Sequence, residues 1–414
     1  MNAEPMTDDQ TIEVVFSKNK ARLAVFMTLF TAGVGNSFLF AILPALGREI
    51  GMMEIQIGSI VTVSATVFMI SAPIWGHRSE VWGRRRVILF ALISYFITTL
   101  LFAGVIQFGL AGTLSVFATY ILLLVTRCMF TAGISGLFPS SQAYMADITT
   151  PAERTSGMAL VGMASGVGMI AGPGLAAAFS SYGLIIPFYA AAGLSVIAAI
   201  FVYRGIIDVP RVERPADEVK EGMLTKRLMP FFVMSTVTMV SLSAMQQATG
   251  FYIQDYFDLS TESAAQWVGG ALMTSALASV AAQIIVVQRL RTPARTLLRV
   301  GPPLIIVGIA IFTVAPVYPM MIFAMIIFGV GFGMVMPGIV GSLSMSVAGH
   351  DQGRAAGVNT SAQGMGFIIG PLLGSGLYQV EPHLPYISCV VLLTISVALG
   401  FRIARQLKAE GTHH

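Results

Sequence analysis

Arg127 is the only charged residue between Arg86 and Asp147, a stretch with room for two bilayer crossings of about 20 residues each. A guanidinium at that depth costs roughly 3 kcal/mol or more unless it faces water, an anion or carbonyls. Its chemistry is therefore ligand orientation or proton coupling, with a buried ion pair as the alternative. Acids that could carry a proton are scarce: no Asp, Glu or His lies in the middle of any long apolar run. Asp255 is the first candidate and Asp147 the second, because coupling needs a group whose proton affinity is moved by burial or a neighbouring charge. Amides and a phenol gather in Gln246-Gln247-Ala248-Thr249-Gly250-Phe251-Tyr252 ahead of Asp255. A helix broken at Gly250 would turn them into a ligand site. Asn359 and Gln363 fall one helical turn apart and could line the same cavity. Met336 belongs to a set of 24 methionines suited to a deformable apolar pocket, or to plain packing. For each polar residue an interhelical hydrogen bond is the other reading. No nucleophile–base pair, metal constellation or phosphate loop accompanies them, so neither an enzyme nor a cofactor is expected. Cys128 and Cys389 stand far apart in apolar stretches and suggest no disulfide framework and no zinc site.

The elements that must position these residues are membrane helices. Charged residues make up 11% of the 414, against about 25% in a soluble domain. Hydrophobic residues reach 55%, which excludes soluble enzymes, nucleic-acid binders and disordered scaffolds. Uncharged runs separate Arg22 from Arg48, Glu54 from Arg78, and Arg154 from Arg204, the last long enough for two spans with a turn near Ser180–Pro187. The Arg86–Asp147 run breaks near Gln107–Thr113, which brings the first half to six spans. A charge-dense segment follows, and then six more spans end near Arg402, with a break near Pro316–Pro319 in the run from Arg299 to Asp351. The expected organisation is a cytoplasmic tail (1–21), a six-helix bundle (22–204), a charged linker (205–228), a second six-helix bundle (229–404) and a tail (405–414). The fold class is all-α, twelve transmembrane helices in two pseudo-symmetric halves.

An internal repeat supports two equivalent halves. Residues 153–175 and 353–372 align Arg154 with Arg354, Gly157 with Gly357 and Gly172-Pro173 with Gly370-Pro371. Every Lys and Arg except Arg48 and Arg127 falls on one side when the N-terminus is placed inside, so the basic charge marks topology and not nucleic-acid affinity. Residues 1–21 carry no cleavable signal pattern, and the first span is expected to remain. Successive G-x-x-x-G pairs, Gly162–Gly166 and Gly168–Gly172, let helix backbones approach closely, with bends at Pro173 and Pro371.

Three ordered motifs carry a family resemblance. The loop GHRSEVWGRRR at 76–86 resembles the major facilitator signature G-x-x-x-D-R-x-G-R-R/K, with Gly76, Gly83, Arg84 and Arg85 in place, Glu80 standing for Asp and Val81 for Arg. The fourth span, Arg127 through GLFPSSQAYMADITTPAER, is similar to that of bacterial tetracycline and multidrug:proton antiporters. The fifth, Gly168-x-x-x-Gly172-Pro173, is similar to the antiporter signature, with Ala176 and Ala177 replacing its last two glycines.

The loop itself offers a carboxylate and three arginines for charge-assisted bonds to helix ends, a gate for rocking halves, or simple inside anchoring. The resemblance implies that Glu80 faces the start of the eleventh span and that Asp147 pairs with Arg84 or Arg85. It also implies that Gly168, Gly172, Pro173, Gly370 and Pro371 act as packing and hinge elements, and that helices one, four, seven and ten surround a cavity. Where related antiporters carry a carboxylate in the first span, this chain offers Asn36. Asn36, Arg127, Gln246, Gln247, Tyr252, Asn359, Gln363 and Met336 are the expected ligand contacts, and Asp255, Asp147 and Arg127 the expected coupling residues. The activity implied is export of small amphipathic compounds by alternating access with proton antiport, from a monomer in the bacterial cytoplasmic membrane with both termini inside. The partners are the substrate, protons and the lipid bilayer. A carrier for organic anions, drawn by Arg127, is the alternative.

Overall fold

A computed structural model describes residues 8–150, 153–207, 227–347 and 352–410. The charge-dense linker, the extreme N-terminus and residues 411–414 lie wholly or largely outside them. Among the described residues there is no β-strand; the chain forms α1 (Asp8–Ile50), α2 (Glu54–Trp82), α3 (Arg84–Leu110), α4 (Val116–Ile134), α5 (Leu137–Ile148), α6 (Arg154–Ser180), α7 (Ile186–Gly205), α8 (Met229–Tyr256), α9 (Thr261–Ala282) with a π-helical turn (Gln283–Arg289), α10 (Ala294–Val314), α11 (Tyr318–Met345), α12 (Gln352–Val380) and α13 (Leu384–Glu410). Eleven passages are long and apolar enough to cross a membrane, α4 and α5 counting as one (Val116–Ile148). The twelfth is α12, of ample length at 29 residues but diluted by Arg354, Asn359, Gln363 and its glycines. α1 already begins at Asp8, inside the stretch expected as a tail.

Helices are the necessary solution here, because in lipid each backbone N–H and C=O must find its partner within the segment. Polar side chains follow the same rule: Thr28, Thr31, Ser37, Thr98 and Thr126 each donate a hydroxyl to a carbonyl one turn back in their own helix. Starts and stops are local as well. Ser115 Oγ accepts the Ala118 N–H at 3.2 Å to open α4. Gly83, at φ 94°, turns the chain between α2 and α3 through a conformation that a side chain would strain. The fourth passage is interrupted at Ser135–Gly136, where a Cβ on Gly136 would lie 2.9 Å from Trp75 Cβ.

The contacts divide the chain into two compact units. One comprises Met1–Leu39, Val67–Gly172 and Ile185–Pro215, the other Phe40–Thr66, Pro173–Leu184 and Ala216–His414. In the first unit α6 packs on α1 backbone to backbone: a Cβ on Gly33 would sit 2.6 Å from Ser165 O, and one on Gly168 or Gly172 would strike Phe30 O or Ser37 Oγ. In the second unit α12 packs on α8 by the same device. A Cβ on Gly370 would strike Ser243 Oγ, and one on Gly374 would lie 2.6 Å from Ala244 O. Thus α6 stands to α1 as α12 stands to α8, the repeat expressed as packing. Gly162 and Gly166, in contrast, have open space where a Cβ would be. They correct the expectation for that G-x-x-x-G pair, which packs no helix closely.

The second unit also joins segments from both ends of the sequence. A Cβ on Gly58 of α2 would lie 2.7 Å from Pro371 O on α12, and one on Gly269 of α9 would lie 2.5 Å from Pro173 O on α6. Each Gly-Pro motif therefore presents its proline carbonyl to a glycine from the other half of the chain. Thr62 Oγ1 donates to Ile368 O at 2.8 Å alongside. Both α6 and α12 run on as helices through their prolines.

Candidate functional site

At the α2–α3 turn, Gly83 delivers Arg84 and Arg85 to different partners. Arg84 Nε lies 3.4 Å from Asp147 Oδ2 on α5, and its Nη1 donates to Ser79 Oγ. Arg85 Nη2 donates to Tyr203 O at 2.6 Å, with the guanidinium carbon 4.9 Å from the centroid of the Tyr203 ring. Glu80 is exposed beside His77 at 3.8 Å, and Val81 is 63% exposed. Gly76 has only Pro139 Cβ near its missing side chain, at an ordinary 3.7 Å. Nearby, Glu153 gathers Lys18 at 3.4 Å and Arg22 at 3.6 Å. A hydrogen bond from the Thr150 backbone, and then the Lys18 charge, hold the Glu153 carboxyl below its ordinary range.

Deeper in the first unit, Arg127 of α4 is 6% exposed. Its guanidinium lies 4.5 Å from the Phe130 ring centroid, and among the described residues no carboxylate pairs with it. Phe130 in turn packs edge-on against Tyr95 of α3 at 4.9 Å. The Tyr95 hydroxyl is buried without a hydrogen-bond partner, as is Arg127 Nε. That hydroxyl occupies the space above Gly35, where a Cβ would be only 2.4 Å from it. Asn36, the next residue on α1, is exposed. The result is a buried cation and a phenol with unused hydrogen-bonding capacity, framed by aromatic carbon.

In the second unit the expected residues separate by role. Gln247 is buried with its Nε2 unpartnered, while Gln246, Gln363 and Met336 are half-buried. Asn359 Oδ1 accepts from Ser235 Oγ at 2.8 Å, tying α12 to α8. One expectation is corrected. The seventh passage, α8, is an unbroken helix through Gly250, whose missing Cβ makes room for Pro44 of α1 at 2.5 Å. Tyr252 donates its hydroxyl to Thr313 O at 3.1 Å within a ring cluster of Tyr256, Phe312, His383 and Tyr386 that packs helix ends together.

Asp255 belongs to a cluster that the sequence reading left unassembled. Arg48, at the end of α1, donates through Nη2 to Asp255 Oδ2 at 3.0 Å and through Nη1 to the other oxygen. It also reaches Glu54 Oε1 through Nε at 3.0 Å and Nη2 at 2.8 Å. Tyr378 of α12 donates to Asp255 Oδ2 at 2.7 Å. The guanidinium rests over Phe251 at 4.8 Å and Tyr378 at 5.5 Å. The available signal was Arg48 itself, a basic residue closing a long uncharged run, with Glu54 close by in sequence.

The profile of the Major Facilitator Superfamily matches residues 25–316 and 261–412. Multidrug resistance protein 1 of Bacillus subtilis (strain 168) is 25% identical over 408 residues, covering 95% of this chain and 99% of its own. Quinolone resistance protein NorA of Staphylococcus aureus (strain MSSA476) is 23% identical over 390 residues, covering 92% and 95%. Among solved structures, a bacterial homolog of the human lysosomal transporter Spinster superposes with a TM-score of 0.71 at 13% identity, covering 94% of this chain and 97% of that one. With the profile spanning the repeat and the two Gly-Pro seams, the chain belongs to the Major Facilitator Superfamily and is a multi-pass membrane transporter, not an enzyme.

Proposed function

We propose that the chain exports small amphipathic, drug-like compounds from a bacterial cell by alternating access, in exchange for protons. The observation that carries this reading is its likeness along nearly the whole chain to Multidrug resistance protein 1, with the likeness to NorA beside it. The proposed site of action is the cytoplasmic membrane, with both termini inside, as the distribution of basic residues supports. The moving bodies are proposed as residues 22–204 and 229–404, joined by the 205–228 linker and acting as a monomer. Asn36 and Arg127 are proposed ligand contacts on α1 and α4; Gln246, Gln247, Tyr252, Asn359, Gln363 and Met336 are proposed contacts on α8, α12 and α11. Apolar walls supply affinity and these few polar groups set orientation. Coupling is assigned to Arg127 and to two acids, Asp255, held by Arg48, and Asp147, held by Arg84.

A second reading is favoured by one observation: Arg127 is buried without a carboxylate partner among the described residues. A cation in that position is stabilised by an anionic ligand, which favours organic anions or carboxylate-bearing amphiphiles. The test of both is flux in proteoliposomes holding the full chain, with ethidium as a lipophilic cation and a fluoroquinolone as a carboxylate. Export reading and coupling predict that either probe moves and that an imposed pH gradient accelerates it at least about tenfold, which corresponds to about 1.4 kcal/mol. Flux of the carboxylate alone selects the anion reading, flux indifferent to the gradient removes proton coupling, and no flux of either removes both.

A further inference from the structure

In the first unit the arginine that opens α3 is held by an acid, Asp147. At the α9–α10 turn of the second unit the arginines have no such partner. No acidic residue occurs between Glu262 and Asp351, yet Arg289, Arg291, Arg295 and Arg299 fall inside that stretch. Arg402 and Arg405, near the end of α13, join them, because α13 meets α10 backbone to backbone. A Cβ on Gly400 would strike Leu298 O, and the Arg299 guanidinium carbon lies 5.9 Å from the Phe401 ring centroid. Among the described residues no carboxylate pairs with any of these six arginines.

Left alone, these charges oppose one another. Arg295 stands in the first turn of α10, at the positive end of the helix dipole, where no acid accompanies it. Arg295 and Arg299 lie one turn apart on α10, as do Arg402 and Arg405 on α13, and like charges at that spacing repel. Arg299 Nε is buried and donates to no acceptor. Topology asks only that basic residues lie on one side of the membrane; it does not ask that they gather without acids where two helices meet. We infer that this patch is a binding site for an anionic phospholipid, whose phosphate supplies the missing negative charge. The inference stands apart from the export reading.

A lipid fits better than a free anion, because apolar side chains are exposed beside the arginines. Ile284, Ile285 and Leu290 at the end of α9, Val300 on α10 and Phe401 on α13 are all exposed. Hydrogen bonds in a π-helix run over five residues, so Ile284 and Ile285 lie about one turn from Arg289. The turn itself is closed and not a loose loop: the Leu290 N–H donates to Ile285 O at 2.9 Å and the Thr292 N–H to Val286 O at 3.2 Å, with Arg291 in the left-handed region at φ 47°. Guanidiniums take phosphate oxygens through paired, charge-assisted bonds, and basic pockets between membrane helices hold such headgroups. A phosphate shared by the arginines of α10 and α13 ties the two helix ends together while its acyl chains cover the exposed apolar groups. Arginines on two helices favour a lipid with two phosphates, so diphosphatidylglycerol should bind tightest.

Native mass spectrometry of the full chain in detergent micelles tests this directly, with diphosphatidylglycerol, phosphatidylglycerol or phosphatidylcholine added at equal concentration. Each anionic lipid should bind at least about tenfold more tightly than phosphatidylcholine. Arg295→Gln combined with Arg299→Gln should reduce that preference at least about fivefold. Arg78→Gln combined with Arg204→Gln removes the same charge from exposed positions of the first unit and should leave the preference within about twofold. If the α10 pair yields no folded protein, Arg402→Gln combined with Arg405→Gln takes its place with the same expected loss. Inorganic phosphate at the lipid's concentration should displace none of it. The inference is overturned if the three lipids bind alike, if the control pair weakens binding as much as the patch pair, or if inorganic phosphate displaces the lipid and so marks a site for free anions. No flux enters the measurement, so failure of the export reading leaves this result standing, and equal binding of the three lipids leaves the export reading standing.

Discussion

Arg127 is the residue at which stability and function pull apart. It is buried over Phe130, beside a Tyr95 hydroxyl that has no partner, and a buried cation without an anion is costly to keep. Arg127→Met keeps the length and removes the charge, so the variant should unfold later than the parent by about 1–4 kcal/mol, read as a rise in the thermal midpoint in detergent. The same variant should lose transport of carboxylate-bearing probes. A midpoint that falls would mean that Arg127 is satisfied in the resting protein and that its solitude is not what selects a ligand. At the α2–α3 turn the charges are in contrast paired, Arg84 to Asp147 and Arg85 to the Tyr203 carbonyl.

At the scale of elements, what holds helix to helix is the absence of side chains at chosen positions. Without a hydrophobic drive between helices in lipid, close backbone approach supplies the packing, and Gly172 of α6 against α1 and Gly370 of α12 against α8 are the matched points of closest approach. Gly172→Val and Gly370→Val should each destabilise by about 1–3 kcal/mol, since the new methyls meet a serine hydroxyl and a neighbouring backbone. Gly104→Ala and Gly193→Ala, where nothing lies within 4 Å of the new Cβ, should shift stability by less than about 1 kcal/mol. Thermal unfolding of the purified protein in detergent compares the four. Equal losses at both kinds of site would show that helix propensity, and not seam packing, sets the cost.

At the scale of the whole molecule, the two compact units do not coincide with the two halves of the sequence. Phe40–Thr66 and Pro173–Leu184, from the first half, are grouped with Ala216–His414. Cutting the chain within the linker should therefore leave a C-terminal fragment missing part of its own packing. Co-expressed fragments 1–215 and 216–414 are expected to co-purify as one complex, while 216–414 expressed alone should be digested by protease at least about tenfold faster than in the complex, its lost partners being worth more than about 1.4 kcal/mol. Equal protection of the lone fragment would mean that the segments from the first half add little to the second unit.

Much of this was written in the order of residues. The uncharged runs foretell the helices because a bilayer demands apolar length, and the breaks near Gln107–Thr113, Ser180–Pro187 and Pro316–Pro319 fall where helices end. The Gly-Pro repeat was legible too, since small residues at a fixed spacing have few other uses in lipid. Other features depended on which helices meet. Gly250 reads as a hinge in one dimension and serves as a seat for Pro44 in three; Arg48 reads as a stray charge and lies in the grip of Glu54 and Asp255, with Tyr378 donating to the same aspartate. Sequence by itself determined the number and kind of elements, because hydropathy and backbone satisfaction act within a segment. Only the tertiary structure decided the partners of each polar group, because a charge-assisted bond acts over a few ångströms and its two ends here stand some two hundred residues apart.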